Sequence, residues 1–262
     1  MTDALMLVAV AIVAGLGAMV NSIAGGGTLL TFPALVAFGV PPLVANATST
    51  VALSPGALTS MLGYRSRLRG LRRWSYAFAV PSVVGGAVGA WLLLVTPAER
   101  FSAIVPWLVL GATGLFSVQG PVRAWMGRHA PPSSGQEDAH FVPSHSVPAF
   151  AAQLLVGVYG GYFGAGIGIL MLAVLGFLGF NDIHRMNGLK NWGGFCINAV
   201  AAGMFVMSGI VDWPVAAAMT VGSMLGGYVT AHTAQRVPQA VVRRTIVGIG
   251  VVSGIWLLWA PL

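Results

Sequence analysis

Between Asp3 and Arg65 the chain carries no formally charged residue, and further uncharged runs cover 74–98, 101–122, 191–211, 213–235 and 245–262. A helix needs about 20 apolar residues to cross the hydrocarbon core of a bilayer, so these runs have the length of single spans or of several joined by uncharged turns. A soluble fold would have to be apolar on every side of nearly every element. Charged residues make up 7% of the chain, against roughly 25% in soluble domains, so the polar surface that water requires is missing. The expected class is therefore all-α and polytopic. The 36 glycines suit it, because small residues let membrane helices pack closely.

Ten apolar segments are expected, near 4–20, 28–40, 44–63, 73–94, 102–119, 147–163, 166–180, 187–208, 213–231 and 241–259. The opening Met1-Thr2-Asp3 puts no Lys or Arg ahead of the first run, which is expected to stay as a helix. One polar stretch, 121–145, with Pro131-Pro132, Ser133-Ser134-Gly135 and Glu137-Asp138, reads as a linker between residues 1–120 and 146–262. The whole chain is then one membrane domain of two similar halves. Arginines at 65, 67, 69, 72 and 73, at 123 and 128, and at 236, 243 and 244 place those loops and the linker in the cytoplasm. With five crossings per half, both termini lie outside and the halves are inverted. If the short second segment of each half is re-entrant, the full spans fall to about eight. The positive excess is explained by these loops and anionic lipid, not by nucleic acid.

The sequence Asn21-Ser22-Ile23-Ala24-Gly25-Gly26-Gly27-Thr28, followed by Pro33, opposes a continuous helix. The second half repeats the pattern with Gly160, Gly161, Gly164, Gly166 and Gly168. Paired glycine-interrupted segments in corresponding places point to a transporter's binding site, where helix ends present free N–H or C=O groups. Close helix packing is the plainer reading, and the two are compatible. At an offset of 141, Asn46-Ala47-Thr48-Ser49-Thr50 matches Asn187-Gly188-Leu189-Lys190-Asn191. These side chains can cap a helix or hold a solute. Lys190 offers charge recognition to an anion, or else snorkels to the cytoplasmic edge. His184, Arg185 and Asp182 read as a wet loop, Cys196 as packing, and Asp212-Trp213-Pro214 as a turn entering a helix.

No carboxylate interrupts an apolar run, so a buried-acid proton or sodium mechanism has no evident residue. The coupling ion, H+ or Na+, stays open. Five histidines lack metal-ligand spacing and no nucleophile, base and acid are grouped, so neither metal, cofactor nor catalytic residue is expected. Homo-oligomerisation stays open too.

The chain resembles the TauE/SafE family of membrane permeases, also described as sulfite exporters. The resemblance rests on Gly15-Leu16-Gly17 through Asn21, on Gly25-Gly26-Gly27-Thr28 with Pro33, on Ala45-Asn46-Ala47-Thr48-Ser49, and on the repeated Gly160–Gly168 stretch with Asn187. It runs from about residue 5 to 260, sparing the linker. It implies a bacterial inner-membrane carrier of small anions, such as sulfite or organosulfonates, working by alternating access. A structural or accessory subunit and an anion channel are the competing readings. The family's duplicated signature falls on Gly25, Gly26, Gly27, Thr28, Pro33, Asn46, Thr48 and Ser49, and on Gly164, Gly166, Gly168, Asn187 and Lys190. Asn21 and Asn191 complete the candidate substrate contacts. Two departures stand out: Lys190-Asn191 replaces Ser49-Thr50, and no proline in 167–178 answers Pro33.

Overall fold

The computed structural model describes residues 4–64, 71–129, 146–178, 180, 183–233 and 239–259. Among these it has ten α-helices: α1 (Ala4–Ala24), α2 (Thr28–Ala37), α3 (Pro42–Tyr64), α4 (Arg72–Val95), α5 (Ala98–His129), α6 (Ser146–Tyr162), α7 (Ile167–Phe177), α8 (Ile183–Ser208), α9 (Trp213–Thr233) and α10 (Gln239–Trp259). Each falls on one of the ten expected segments. Among the described residues, Ala4–Ser22, Arg72–Val95 and Ala98–Val118 are long and apolar enough to cross a membrane outright. Exposed Leu5, Val8, Ile12, Trp91, Trp107 and Trp259 give the outer surface the apolar, aromatic character of a lipid contact.

Three boundaries differ from expectation, each for a local reason. Helix α5 runs on through His129, so the linker begins later than Pro121, because Val122-Arg123-Ala124-Trp125-Met126 favours continuation. Its remainder, 130–145, lies outside the described residues, as do Arg65, Arg67, Arg69, Arg236 and Asp182. Helices α3 and α8 begin at Pro42 and Ile183. Asn46 and Asn187 therefore sit in the second helical turn, past the first-turn amides that a cap would bind. Pro33 lies inside α2 without ending it, and the interruption falls at Gly25–Gly27 alone.

The packing is interlocked. Helix α1 packs along α9, and α4 along α6; α3 joins α9, and α8 joins α4; α3 meets α8, and α5 meets α10. Two groups result, one of α1, α3 and α9 and one of α4, α6 and α8, each holding helices from before and after the linker. Glycine makes the seams. A Cβ on Gly222 or Gly226 would strike the backbone of Ala11 or Gly15, and one on Gly89 or Gly161 would strike that of Val158 or Gly86. These contacts are backbone against backbone, the close approach that small residues permit in lipid. Asp212, as expected of a turn residue, accepts a hydrogen bond from the Val215 amide at 3.2 Å and caps α9.

Candidate functional site

The two interrupted segments meet tip to tip. Gly25, just past α1, has φ 81°, and a Cβ there would lie 2.6 Å from the Cα of Gly168 in the first turn of α7. Gly164 and Gly166 take φ 80° and 79°, the left-handed conformation that turns the chain sharply from α6 into α7. The first amides of a helix have no intrahelical acceptor, and the residues before α2 and α7 are Gly27 and Gly166, which have no side chain to cap them. The start of α7 therefore presents N–H groups and the positive end of a helix dipole at the junction.

Beside the junction lies a cavity of about 30 Å³, lined by Asn21, Ser22 and Gly25 at the end of α1, Leu53 and Gly56 of α3, Ile167, Gly168 and Met171 of α7, and Lys190, Asn191, Gly194 and Asn198 of α8. A single water needs ~10–15 Å³, so the space is narrow but real. Its polar groups are amide side chains, a hydroxyl and one lysine. Lys190 is only 3% exposed and turned inward, and its Nζ donates to the carbonyl of Ser22 at 3.2 Å. That carbonyl belongs to the last turn of α1, where a cation is favourable. The buried hydroxyl of Ser22 and the Nδ2 of Asn191 make no hydrogen bond within the protein, and neither does Oδ1 of Asn187 one turn earlier. Among the described lining residues there is no Asp or Glu.

Five of the candidate residues thus share one cavity: Asn21, Gly25, Gly168, Lys190 and Asn191. The others lie elsewhere. Gly27 packs against the backbone of Gly17, and Gly26 against the ring of Phe116. Thr28 opens α2, and Gly164 and Gly166 shape the α6–α7 turn. Ser49 shares a 2.6 Å hydrogen bond with Thr31. Thr48 accepts one from the Asp212 amide at 3.0 Å, and Asn46 donates to the Tyr162 carbonyl at 3.0 Å. Aromatic rings pack near this last bond, with Phe101 on Tyr162 at 5.9 Å and Phe32 on Phe163 at 5.4 Å.

Sequence reasoning gave no part to two groups that the site contains. Ser22 adjoins the glycines but reads as an ordinary small residue of a membrane helix. Tyr159 donates to the carbonyl of Ala165 at 2.7 Å and so fixes the peptide between the two left-handed glycines. Only the geometry of the turn reveals that bond.

A family model described as "Sulfite exporter TauE/SafE" matches residues 8–257. The chain belongs to the TauE/SafE family. A Sinorhizobium protein named "Probable membrane transporter protein ORF9" is 28% identical over 253 residues, covering 95% of this chain and 91% of the relative. YfcA of Escherichia coli K12, likewise named a probable membrane transporter, is 30% identical over 99% of this chain and 92% of its own. A Haemophilus influenzae protein of the same description is 30% identical over 87% and 85%. As a TauE/SafE protein the chain is a multi-pass transporter of small anions in the bacterial inner membrane, and it works by transport and not by enzymatic conversion.

Proposed function

We propose that the protein is a secondary carrier of a small sulfur oxyanion, such as sulfite or an organosulfonate, and that the cavity beside Lys190 is its binding site. The observation that carries this reading is a cavity whose lining offers hydrogen-bond donors from a lysine, an amide side chain, a hydroxyl and a helix start, without a carboxylate among the described lining residues. A tetrahedral or pyramidal oxyanion offers several acceptor oxygens to such a set. An unpaired buried donor costs about 1–3 kcal/mol, so a ligand that engages Ser22 and Asn191 recovers that free energy. The family description favours a sulfur anion.

The two sequence halves form an inverted repeat in this reading. Exchanging α1–α5 with α6–α10 turns the α1–α9 pairing into α6–α4 and the α3–α9 pairing into α8–α4, and both occur. Five helices per half reverse the direction of the second half, in keeping with arginines on one side. Alternating access then works through the interlocked groups. The cavity lies where α1 and α3 of one group face α8 of the other, with α7 between, so relative rocking would open it to one side at a time.

The test is uptake of radiolabelled sulfite by liposomes containing the purified protein, under imposed proton or sodium gradients. Saturable uptake whose KM rises at least about tenfold in Lys190→Ala, with folded yield unchanged, supports the assignment. Uptake that rises linearly with concentration points to a channel, and an unaltered KM in Lys190→Ala removes this cavity as the site.

A further inference from the structure

Helix α3 serves as a ruler across the membrane. Its end at Tyr64 leads into the arginines at 65, 67 and 69, which mark the cytoplasmic side, and its start at Pro42 lies toward the other face. The cavity meets α3 at Leu53, Gly56 and Ala57, and Asn46 lies about two to three turns nearer the start, about 10–16 Å outward. Two other helices agree. Helix α6 leaves the linker at Ser146 and reaches Tyr162 about 24 Å further on, and α5 returns to the linker at His129, roughly 40 Å after Phe101. With the arginine-bearing loops in the cytoplasm, Asn46, Phe101, Tyr162 and Phe163 lie on the outer side of the cavity.

That side is apolar and closed. Phe32, Phe101 and Phe163 are buried in one cluster, against which Tyr162 packs. Phe32 meets Phe163 edge to face at 5.4 Å, joining the first interrupted segment to the second, and Phe101 meets Tyr162 likewise at 5.9 Å. Asn46 of α3 donates to the Tyr162 carbonyl of α6 at 3.0 Å, a bond across the boundary between the two helix groups. Oδ1 of the same amide is buried and makes no hydrogen bond within the protein, so admission of water would give it a partner that the closed packing denies. We propose that these four rings are the outer gate of the transport path, latched by Asn46, and that the structure holds this gate shut with the cavity facing the cytoplasm. The inference rests on the carrier reading above and adds to it the side from which the site is reached. An apolar constriction stops an ion by excluding water, and removing a ring widens it.

Access to the cavity tests the gate without any substrate. Ala57 lines the cavity and Cys196 is the sole native thiol, so Ala57→Cys in a Cys196→Ala background reports on the site alone. The anionic, membrane-impermeant sulfonatoethyl methanethiosulfonate converts that thiol to a mixed disulfide with loss of methanesulfinate. Applied to right-side-out and inside-out bacterial membrane vesicles, it should label from the cytoplasmic face at least about tenfold faster than from the outer face. Phe32→Ala and Phe163→Ala should each speed outer labelling at least about tenfold and leave cytoplasmic labelling within about threefold. Asn46→Leu keeps every ring and removes the latch, so outer labelling should rise at least about threefold even if the ring truncations fail to fold. Phe78→Ala is the control: it removes a ring equally buried in a different cluster, with Leu71 and Trp74 near the start of α4, and should change neither rate. Equal acceleration by Phe78→Ala, or outer labelling that none of the folded variants alters, overturns the gate. Outer labelling as fast as cytoplasmic labelling with all four rings in place overturns the assigned facing. Sulfite flux is measured beside it in liposomes: flux that never saturates removes the carrier reading and the gate with it, whereas saturable flux with unmoved labelling rates removes the gate alone.

Discussion

Gly25 and Gly39 have nearly the same backbone conformation, φ 81° and 83°, in very different surroundings. A Cβ on Gly39 would meet nothing within 4 Å, while one on Gly25 would press on the backbone of Gly168. Alanine at either position is strained by about 1–2 kcal/mol in the left-handed region. At Gly25 the clash adds about 1–3 kcal/mol, because main chain cannot swing aside as a side-chain tip does. Thermal unfolding in detergent should therefore show Gly25→Ala as the less stable of the two. Sulfite transport should survive Gly39→Ala and fall sharply in Gly25→Ala, since the displaced Gly168 carries one of the amides at the cavity. Equal losses of stability and transport would mean that conformation, and not contact between the two tips, is what glycine serves at Gly25.

The turn between α6 and α7 gives a test at the scale of an element. Its peptide at Ala165 is held by the Tyr159 hydroxyl, and Gly166 on its far side sets the direction of α7. Tyr159→Phe leaves the ring in place and removes one hydrogen bond, worth about 0.5–1.5 kcal/mol, so the α7 amides lose their fixed aim. The expected result is a rise in KM of roughly three- to tenfold with Vmax little changed. Tyr162→Phe is the control: its hydroxyl reaches Thr96 at 3.4 Å, away from the turn, and KM should hold. A rise in neither variant would remove Tyr159 from a positioning role. The elements themselves were legible in the sequence because the signals are local: uncharged runs set the ten helices, and glycine clusters set the interruptions. The contact of Gly25 with Gly168 was not legible, since nothing local joins residues 143 positions apart. The same limit hides the meeting of Asn21 and Lys190 on one cavity, which only the fold brings about. Thr48 and Ser49 show the converse. Their hydroxyls looked like solute contacts in sequence, yet they bond to Asp212 and Thr31, as polar groups in lipid do when a neighbouring helix offers a partner.

The arrangement of the whole molecule decides which parts can move. Sequence halves suggest that residues 1–120 rock against 146–262, but α4 is seated on α6 and α8, and α9 on α1 and α3. The glycine seams within each group bring backbone against backbone, and sliding there would drive main-chain atoms together. The boundary between the groups runs through the cavity, where Ser54 of α3 donates to the Asn198 carbonyl of α8 at 3.4 Å. Motion at that boundary changes access to Lys190, whereas motion inside a group does not. Cross-linking separates the two cases. In a Cys196→Ala background, a short bis-methanethiosulfonate, which joins Ser54→Cys to Asn198→Cys through two disulfides with loss of methanesulfinate, should stop sulfite flux, and reduction of the link should restore it. The same reagent between Ser82→Cys and Gln153→Cys, neighbours on α4 and α6 through a 2.9 Å hydrogen bond, should leave flux within about twofold of the uncross-linked protein. Undiminished flux with the α3–α8 link in place would show that the boundary is fixed and the moving parts lie elsewhere. Arrest by the α4–α6 link would mean that the seam itself slides, and the rigid-group mechanism would give way to one in which α6 and the interrupted α7 move alone.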